Sequence, residues 1–189
     1  MRINSAMDLH ELLTIIMDTA RELLSTEASS LLLFDSEKKE LIFDIARGQR
    51  GSLLARRTIP LGSGIAGTCA LERQAIVVND AENDSRVLRE IDESIGFKTR
   101  NLLAVPMLTM GNLVGVLEVV NTTDNRQLDA GDTRLLTYLS NMAALAIYNR
   151  KLYVDLQNRM EELDCVFRIA QSIHVEDDLD IILNEILLA

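Results

Sequence analysis

Two histidines, two cysteines and one glycine-framed serine are the residues from which chemistry would have to be built in this 189-residue chain. His10 and His174 lie near opposite ends, which leaves the middle without the usual general base and the usual imidazole ligand for zinc or haem iron. Cys69 and Cys165 are far apart, with neither a CxxC nor a metal-ligand spacing, a pattern of reduced thiols rather than a disulfide framework. Cys69 falls beside Ile65, Ala66 and Leu71 and reads as a small buried hydrophobe. No base is placed by spacing to activate a serine or cysteine nucleophile, and acidic pairs such as Asp92 and Glu93 read as a solvated helix face. No enzyme is expected from these residues, and no bound metal. Gly62-Ser63-Gly64 is different. A glycine-rich entry into a helix can aim unpaired amides at an anion such as phosphate, with plain turn chemistry as the competing reading.

The elements that would position these residues follow from periodicity. Leu9, Leu12, Leu13, Ile16, Met17, Ala20, Leu23 and Leu24 recur at helical spacing behind Asp8, a candidate N-cap with Glu11 three residues on. Residues 29–35 and 40–48 read as a β-hairpin around the polar SEKK, and 57–61 as a third short strand. Ser63 is placed to cap a helix through Leu71. A strand over 75–80 follows, then a short helix over Val87, Leu88 and Ile91 that starts at Asp84 or Ser85 and stops at Gly96. FKTRNLLAVPM and GNLVGVLEVVN, from Phe97 to Asn121, read as two apolar strands meeting around Met110 to Asn112. About six strands result.

From Gly131 no proline interrupts the apolar spacing to Ile173, which predicts one long helix. Leu145, Asn149, Leu152, Leu156, Arg159, Leu163, Val166, Ala170 and Ile173 alternate as a and d positions of a heptad, the seam of a dimeric coiled coil. DLHELLTIIM (8–17) and DLDIILNEIL (178–187) match in character, as if a second copy of the first element began there. The expected organisation is a domain over 1–148, a connecting helix over 149–173 and the start of a further domain over 174–189, in a larger protein whose output domain lies elsewhere. Nineteen basic against twenty-nine acidic side chains give a net charge of −10, which disfavours nucleic acid and anionic membranes as partners. No apolar run reaches the ~20 residues of a membrane span, and the first residues carry no export signal. A cytoplasmic location is expected.

The segment from Phe97 to Asn121, with GSGIAG (62–67) upstream, resembles the GAF family of sensor domains, and within it the cyclic-nucleotide-binding branch found in phosphodiesterases and some adenylyl cyclases. The resemblance covers roughly Leu9 to Tyr148. It implies an α+β fold: a central antiparallel sheet of about six strands, with N- and C-terminal helices on one face and short helices over a ligand pocket on the other. Carried over residue by residue, it implies a pocket made by Ser30, Phe43, Asp44, Ile65, Ala66, Leu88, Asp92, Thr99 and Glu118. Phe43 offers a ring for a purine, Ser30, Thr99 and Glu118 offer donors or acceptors for its edge, and the Ile65–Ala66 backbone lies where a cyclic phosphate would sit. Leu88 holds a position that is often aromatic in phosphodiesterase relatives. Of the family's Asn-Lys…Phe-x-x-x-Asp-Glu signature, Asn121 and Asp132 are present, while Thr122, Leu128 and Thr133 replace the rest. The lysine–aspartate bridge of the family is therefore not expected through Thr122.

The resemblance implies a non-catalytic small-molecule sensor of a signal-transduction protein, with cAMP or cGMP as candidate ligand and a homodimer formed through the N- and C-terminal helices. The alternative is a dimerisation module with a vestigial pocket. Glu118 has an ordinary reading too, as the outward residue of a strand that alternates with Leu117 and Val119. Free methionine sulfoxide reduction, which some GAF proteins perform, uses several cysteines near the pocket, and here Cys69 alone is near. Covalent bilins would need a cysteine between Asp80 and Asn101, where there is none.

Overall fold

Two strands that are apolar on both faces organise this chain, because each face has to be covered by a different layer. The structure, a computed structural model, describes the backbone of residues 5–187 and the side chains of residues 9–168. In chain order its elements are α1 (Ser5–Leu23), β1 (Thr26–Asp35), β2 (Glu40–Arg47), a 3₁₀ turn (Gly51–Leu54), β3 (Thr58–Pro60), α2 (Gly64–Glu72), β4 (Ile76–Val78), α3 (Arg89–Ile95), β5 (Leu102–Thr109), β6 (Asn112–Thr122) and α4 (Ala130–Leu187). All strand pairs are antiparallel, in the order β3-β2-β1-β6-β5-β4. The chain divides into two units, one up to Tyr148 and one from Asn149.

Successive side chains of a strand point to opposite faces, so Leu31 and Leu117 enter one core while their neighbours Leu32 and Val116 enter another. The first core holds Leu13, Ile16, Met17 and Ala20 of α1 and Leu136, Leu139, Ala143 and Ala144 of α4 against Leu103, Val105 and Val119. The second holds Ile65, Ala66, Cys69 and Ala70 of α2 against Leu41, Phe43, Leu102 and Ala104. The expected α+β layering is observed: terminal helices on one face, short helices on the other. The 3₁₀ turn has no counterpart in the sequence expectations. α1 starts at Ser5, so Asp8 lies inside its first turn rather than capping it. Ser63 occupies the N-cap of α2 by backbone conformation, without a side-chain capping bond.

A register shift breaks strict alternation in β2. Leu31 pairs with Ile45 but Leu32 pairs with Phe43, which leaves Asp44 as the extra residue of a β-bulge. Phe43 consequently joins the second core and Ile45 the first, although two residues of an unbroken strand would share a face. At the β5–β6 turn, Met110 and Gly111 both have positive φ, 49° and 77°, as a two-residue hairpin with primed geometry requires.

The end of β6 is tied to α4 by buried polar groups. Asn121, itself at φ 59°, accepts the amide of Arg100 on its Oδ1 at 2.7 Å and donates to Glu27 Oε2 at 2.9 Å. Asn101 donates to Thr122 Oγ1 at 3.0 Å, and that hydroxyl donates to the Arg126 carbonyl at 2.7 Å. The ion pair not expected through Thr122 is supplied from four residues further on: Arg126 Nη1 and Nη2 donate to Asp132 Oδ2 and Oδ1 at 2.6 and 2.9 Å. Arg126 Nη2 also reaches the Leu24 carbonyl at 3.3 Å, so one guanidinium joins the end of α1 to the first turn of α4.

The hydrogen bonds from Arg126 hold the Asp132 carboxyl below the ordinary aspartate range. A depressed carboxyl contributes stability above its unfolded value and loses it as pH falls through the folded one. Arg126→Gln is thus expected to lose about 2 kcal/mol at neutral pH by leaving the nearly buried Asp132 without its partner. The deficit, read from urea midpoints, should shrink as pH is lowered below about 4, where the unfolded carboxyl protonates; a deficit independent of pH would contradict the pairing.

In the second unit α4 continues as one helix from Asn149 through Leu187. Of the predicted heptad residues, Leu145, Leu152, Leu156, Leu163 and Val166 are exposed. The side chains of Ala170, Ile173, His174 and the 178–187 repeat lie outside the described ones.

Candidate functional site

The second core does not close. Between the sheet and the layer of α2, α3 and the 3₁₀ turn lies a cavity of about 110 Å³ whose wall is mostly apolar, with Phe43, Ile59, Ile65, Leu88, Ile91, Ile95, Phe97 and Leu102 among its lining residues. Ser30, Thr99, Asp92 and Glu118 add polar groups from separate segments.

Sheet register explains how Ser30 and Glu118 meet. Ser30 pairs with Glu118 on one side and Ala46 on the other, so the three form a cross-strand row facing the cavity. Ser30 Oγ donates to Glu118 Oε2 at 3.2 Å. Glu118 is buried, not solvent-facing, because the face opposite Leu117 and Val119 is also covered. Its burial pushes the carboxyl up to about 7, and the Ser30 hydrogen bond offsets only part of that shift. A carboxyl in this state serves as a donor or an acceptor according to what it meets.

The other predicted residues divide cleanly. Phe43 lines the cavity by virtue of the bulge, and Asp44, the bulged residue, is exposed and is not part of the wall. Ile65 and Ala66 are in the first turn of α2, where backbone amides have no partner within the helix. Leu88 covers the α2 entry: a Cβ built on Gly64, which has φ +65°, would lie 2.8 Å from Leu88 Cδ1. Asp92 accepts both the amide and the hydroxyl of Thr99 at 2.9 Å, fastening α3 to the strand that follows it. Sequence reasoning missed Arg47, Arg50, Gly51, Leu54 and Phe97 on the wall. Arg50, Gly51 and Leu54 come from the turn after β2, whose path back over the sheet has no periodic signal; Arg47 ends β2 and Phe97 follows α3.

Nothing here assembles a nucleophile. Burial, with the charges of Glu118 and Glu72 adding to it, raises the Cys69 thiol far above its ordinary range, so the reactive thiolate is suppressed. Among the described residues no cluster of three His, Cys, Asp or Glu could hold a metal ion, and no helix is long and apolar enough to cross a membrane.

The model of the GAF domain family matches residues 8–147. The chain belongs to the GAF family. A relative is the cGMP-specific 3',5'-cyclic phosphodiesterase of Drosophila sechellia, 28% identical over 149 residues; the match covers 77% of this chain and 12% of that protein, so the chain spans a small part of its relative's length. Among solved structures, the GAF domain/HD domain protein from Geobacter sulfurreducens has a TM-score of 0.66 at 18% identity, covering 77% of this chain and 95% of that one. The GAF domain of a phosphoenolpyruvate-protein phosphotransferase from Coxiella burnetii has a TM-score of 0.62 at 16% identity, covering 81% and 99%. At these identities the structures share the fold. Its GAF sheet and helices are those whose register brings Ser30, Phe43 and Glu118 to one wall.

Proposed function

We propose that this GAF domain is a non-catalytic sensor of a cyclic purine nucleotide, cAMP or cGMP, within a larger signal-transduction protein. The observation that carries the reading is the convergence of Phe43, Thr99 and Glu118, from three distant segments, on one recessed cavity. A phenyl face for a base, polar groups for its edge and the amide-rich entry of α2 for a phosphate suit such a ligand. The likeness to a cGMP-specific phosphodiesterase supports the same class.

A cavity of about 110 Å³ is below the ~300–1,000 Å³ usual for bound small molecules. Ligand entry accordingly moves Leu88 and α3 outward and reorders the segment from Asp80 to Thr99. For occupancy to regulate anything, the ligand must favour one of two arrangements. The second arrangement would be read by α4 in a cytoplasmic homodimer. Support for the dimer comes from apolar side chains exposed on the terminal helices, Leu12, Ile15 and Leu23 on α1 and Tyr138, Met142 and Leu145 on α4.

Isothermal titration with cAMP, cGMP and cyclic dinucleotides tests the reading, with native mass spectrometry of the same sample. Heat and a raised melting temperature with a cyclic mononucleotide, on a species of twice the chain mass, are expected. No heat and no thermal shift with any of them would remove nucleotide sensing and favour the vestigial-pocket alternative.

A further inference from the structure

Four charged residues line the cavity, Arg47, Arg50, Asp92 and Glu118, and the side chains of three of them are engaged. Arg47 donates twice to Asp18, at 2.9 Å each, on the α1 side of the sheet. Asp92 holds Thr99, and Glu118 accepts from Ser30. The Arg50 side chain has no hydrogen bond or ion pair among the described residues, while its carbonyl accepts the Leu53 amide at 3.1 Å.

Its place in the cavity is set by the turn after β2. The chain folds back at Gly51 so tightly that a Cβ there would lie 2.3 Å from the Ala46 carbonyl oxygen. Ala46 shares its cross-strand row with Ser30 and Glu118. Arg50, the neighbour of Gly51, is therefore at the Ser30–Glu118 end of the cavity, with its guanidinium about 4 Å from the position of a Cβ on Gly96 at the end of α3. The α2 entry is at the opposite end: Gly67 packs on the carbonyl of Pro60, which pairs with Glu40 at the far end of β2.

We propose that Arg50 is a specificity-determining residue that reads the acceptor edge of guanine and makes the cavity prefer cGMP to cAMP. This rests on the cyclic-nucleotide reading and deepens it. With the phosphate at the α2 entry, the base lies at the Ser30–Glu118 end. Guanine presents O6 and N7 as paired acceptors, which match the forked donors of a guanidinium, whereas adenine places an N6 amino donor where O6 would be. Arginine is a donor only and stays charged, so adenine meets it donor to donor. Glu118, from the other side of the row, faces the N1–H and N2 amino donors of guanine.

The test is titration of the full 189-residue chain with cGMP, cAMP and cyclic IMP, the last keeping O6 and N7 without the N2 amino group, for wild type, Arg50→Gln and Arg50→Lys. Wild type is expected to bind cGMP about tenfold tighter than cAMP. Arg50→Gln should weaken cGMP and cyclic IMP together and move the ratio toward cAMP, since a glutamine amide matches adenine N6 and N7. Arg50→Lys keeps the charge without the fork and should fall between. Because Arg50 is exposed and unpartnered, the variants should melt with wild type. An unchanged cGMP-to-cAMP ratio in Arg50→Gln, or a wild type that prefers cAMP, would overturn the role of Arg50 alone. A wild type that binds none of the three would overturn it together with the reading beneath it.

Discussion

Replacing Gly115 by alanine is expected to destabilise the first unit by about 3 kcal/mol or more, the range of overpacking in a core that cannot relax. Gly115 pairs with Leu33 of β1 on one side and Met107 of β5 on the other, in the middle of the sheet. A Cβ there would lie 2.0 Å from the Leu32 carbonyl oxygen and 2.6 Å from Met107 Cε. The methionine end could move, but the carbonyl belongs to the strand pair that carries the Asp44 bulge, so relief means shifting β1 itself. Since that shift would also turn Phe43 within the cavity wall, affinity for the proposed nucleotide should fall with stability. Denaturant midpoints for the wild type and the variant measure the first effect. A loss below about 1 kcal/mol would mean that β1 and β6 are not held this close.

Glu118→Gln is expected to give a change of similar size that builds as pH rises from about 4.5 to about 7. In the folded chain burial keeps Glu118 protonated up to about 7, while unfolding returns it toward the ordinary glutamate value of 4.5. Between those values the folded state binds more protons than the unfolded state, so stability falls as pH rises. The contribution is fully present below about 4.5 and is lost as pH rises through about 7. At about 1.4 kcal/mol per pH unit of displacement, the wild type loses roughly 3 kcal/mol by pH 8. Glutamine has nearly the same shape, accepts from Ser30 through its carbonyl and does not titrate, so the variant should match wild type near pH 4.5 and exceed it at pH 8. Other titrating groups cancel in the difference between the two curves. Parallel stability curves from pH 4.5 to 8 would show that Glu118 ionises freely in the fold. A ligand that donates to Glu118 should favour its ionised form, linking the affinity of the proposed ligand to pH over the same interval.

These two positions also mark the boundary of what the chain's letters reveal. The strands, short helices and long helix were legible because their apolar residues recur at periods of two or 3.6, and that periodicity is local. α3 ends at Gly96 as its sequence suggests, since the αL conformation there, φ +63°, suits glycine, but it starts at Arg89 rather than at Asp84 or Ser85, which leaves Val87 and Leu88 in the preceding loop. Glu118 could not be placed by the same means, because alternation tells which residues share a face but not whether both faces are covered. The cover over Glu118 comes from α2 and α3, which precede β6 by many residues.

Periodicity fails altogether at Asp44, where one extra residue reverses the facing of everything after it in β2. Arg126 shows the same limit for charges: Thr122 holds the motif position, but a guanidinium four residues away reaches Asp132 because the turn between β6 and α4 folds it back. By itself the sequence determined the element types, which depend on neighbours within a few residues, and through the resemblance of its motifs the family and the layering that the family implies. Only the tertiary structure decided that Arg50 shares the cavity of Phe43 and Glu118 and that Asp44 does not. Such placement depends on bulges, close backbone approaches and burial, whose energies arise between segments far apart in the chain.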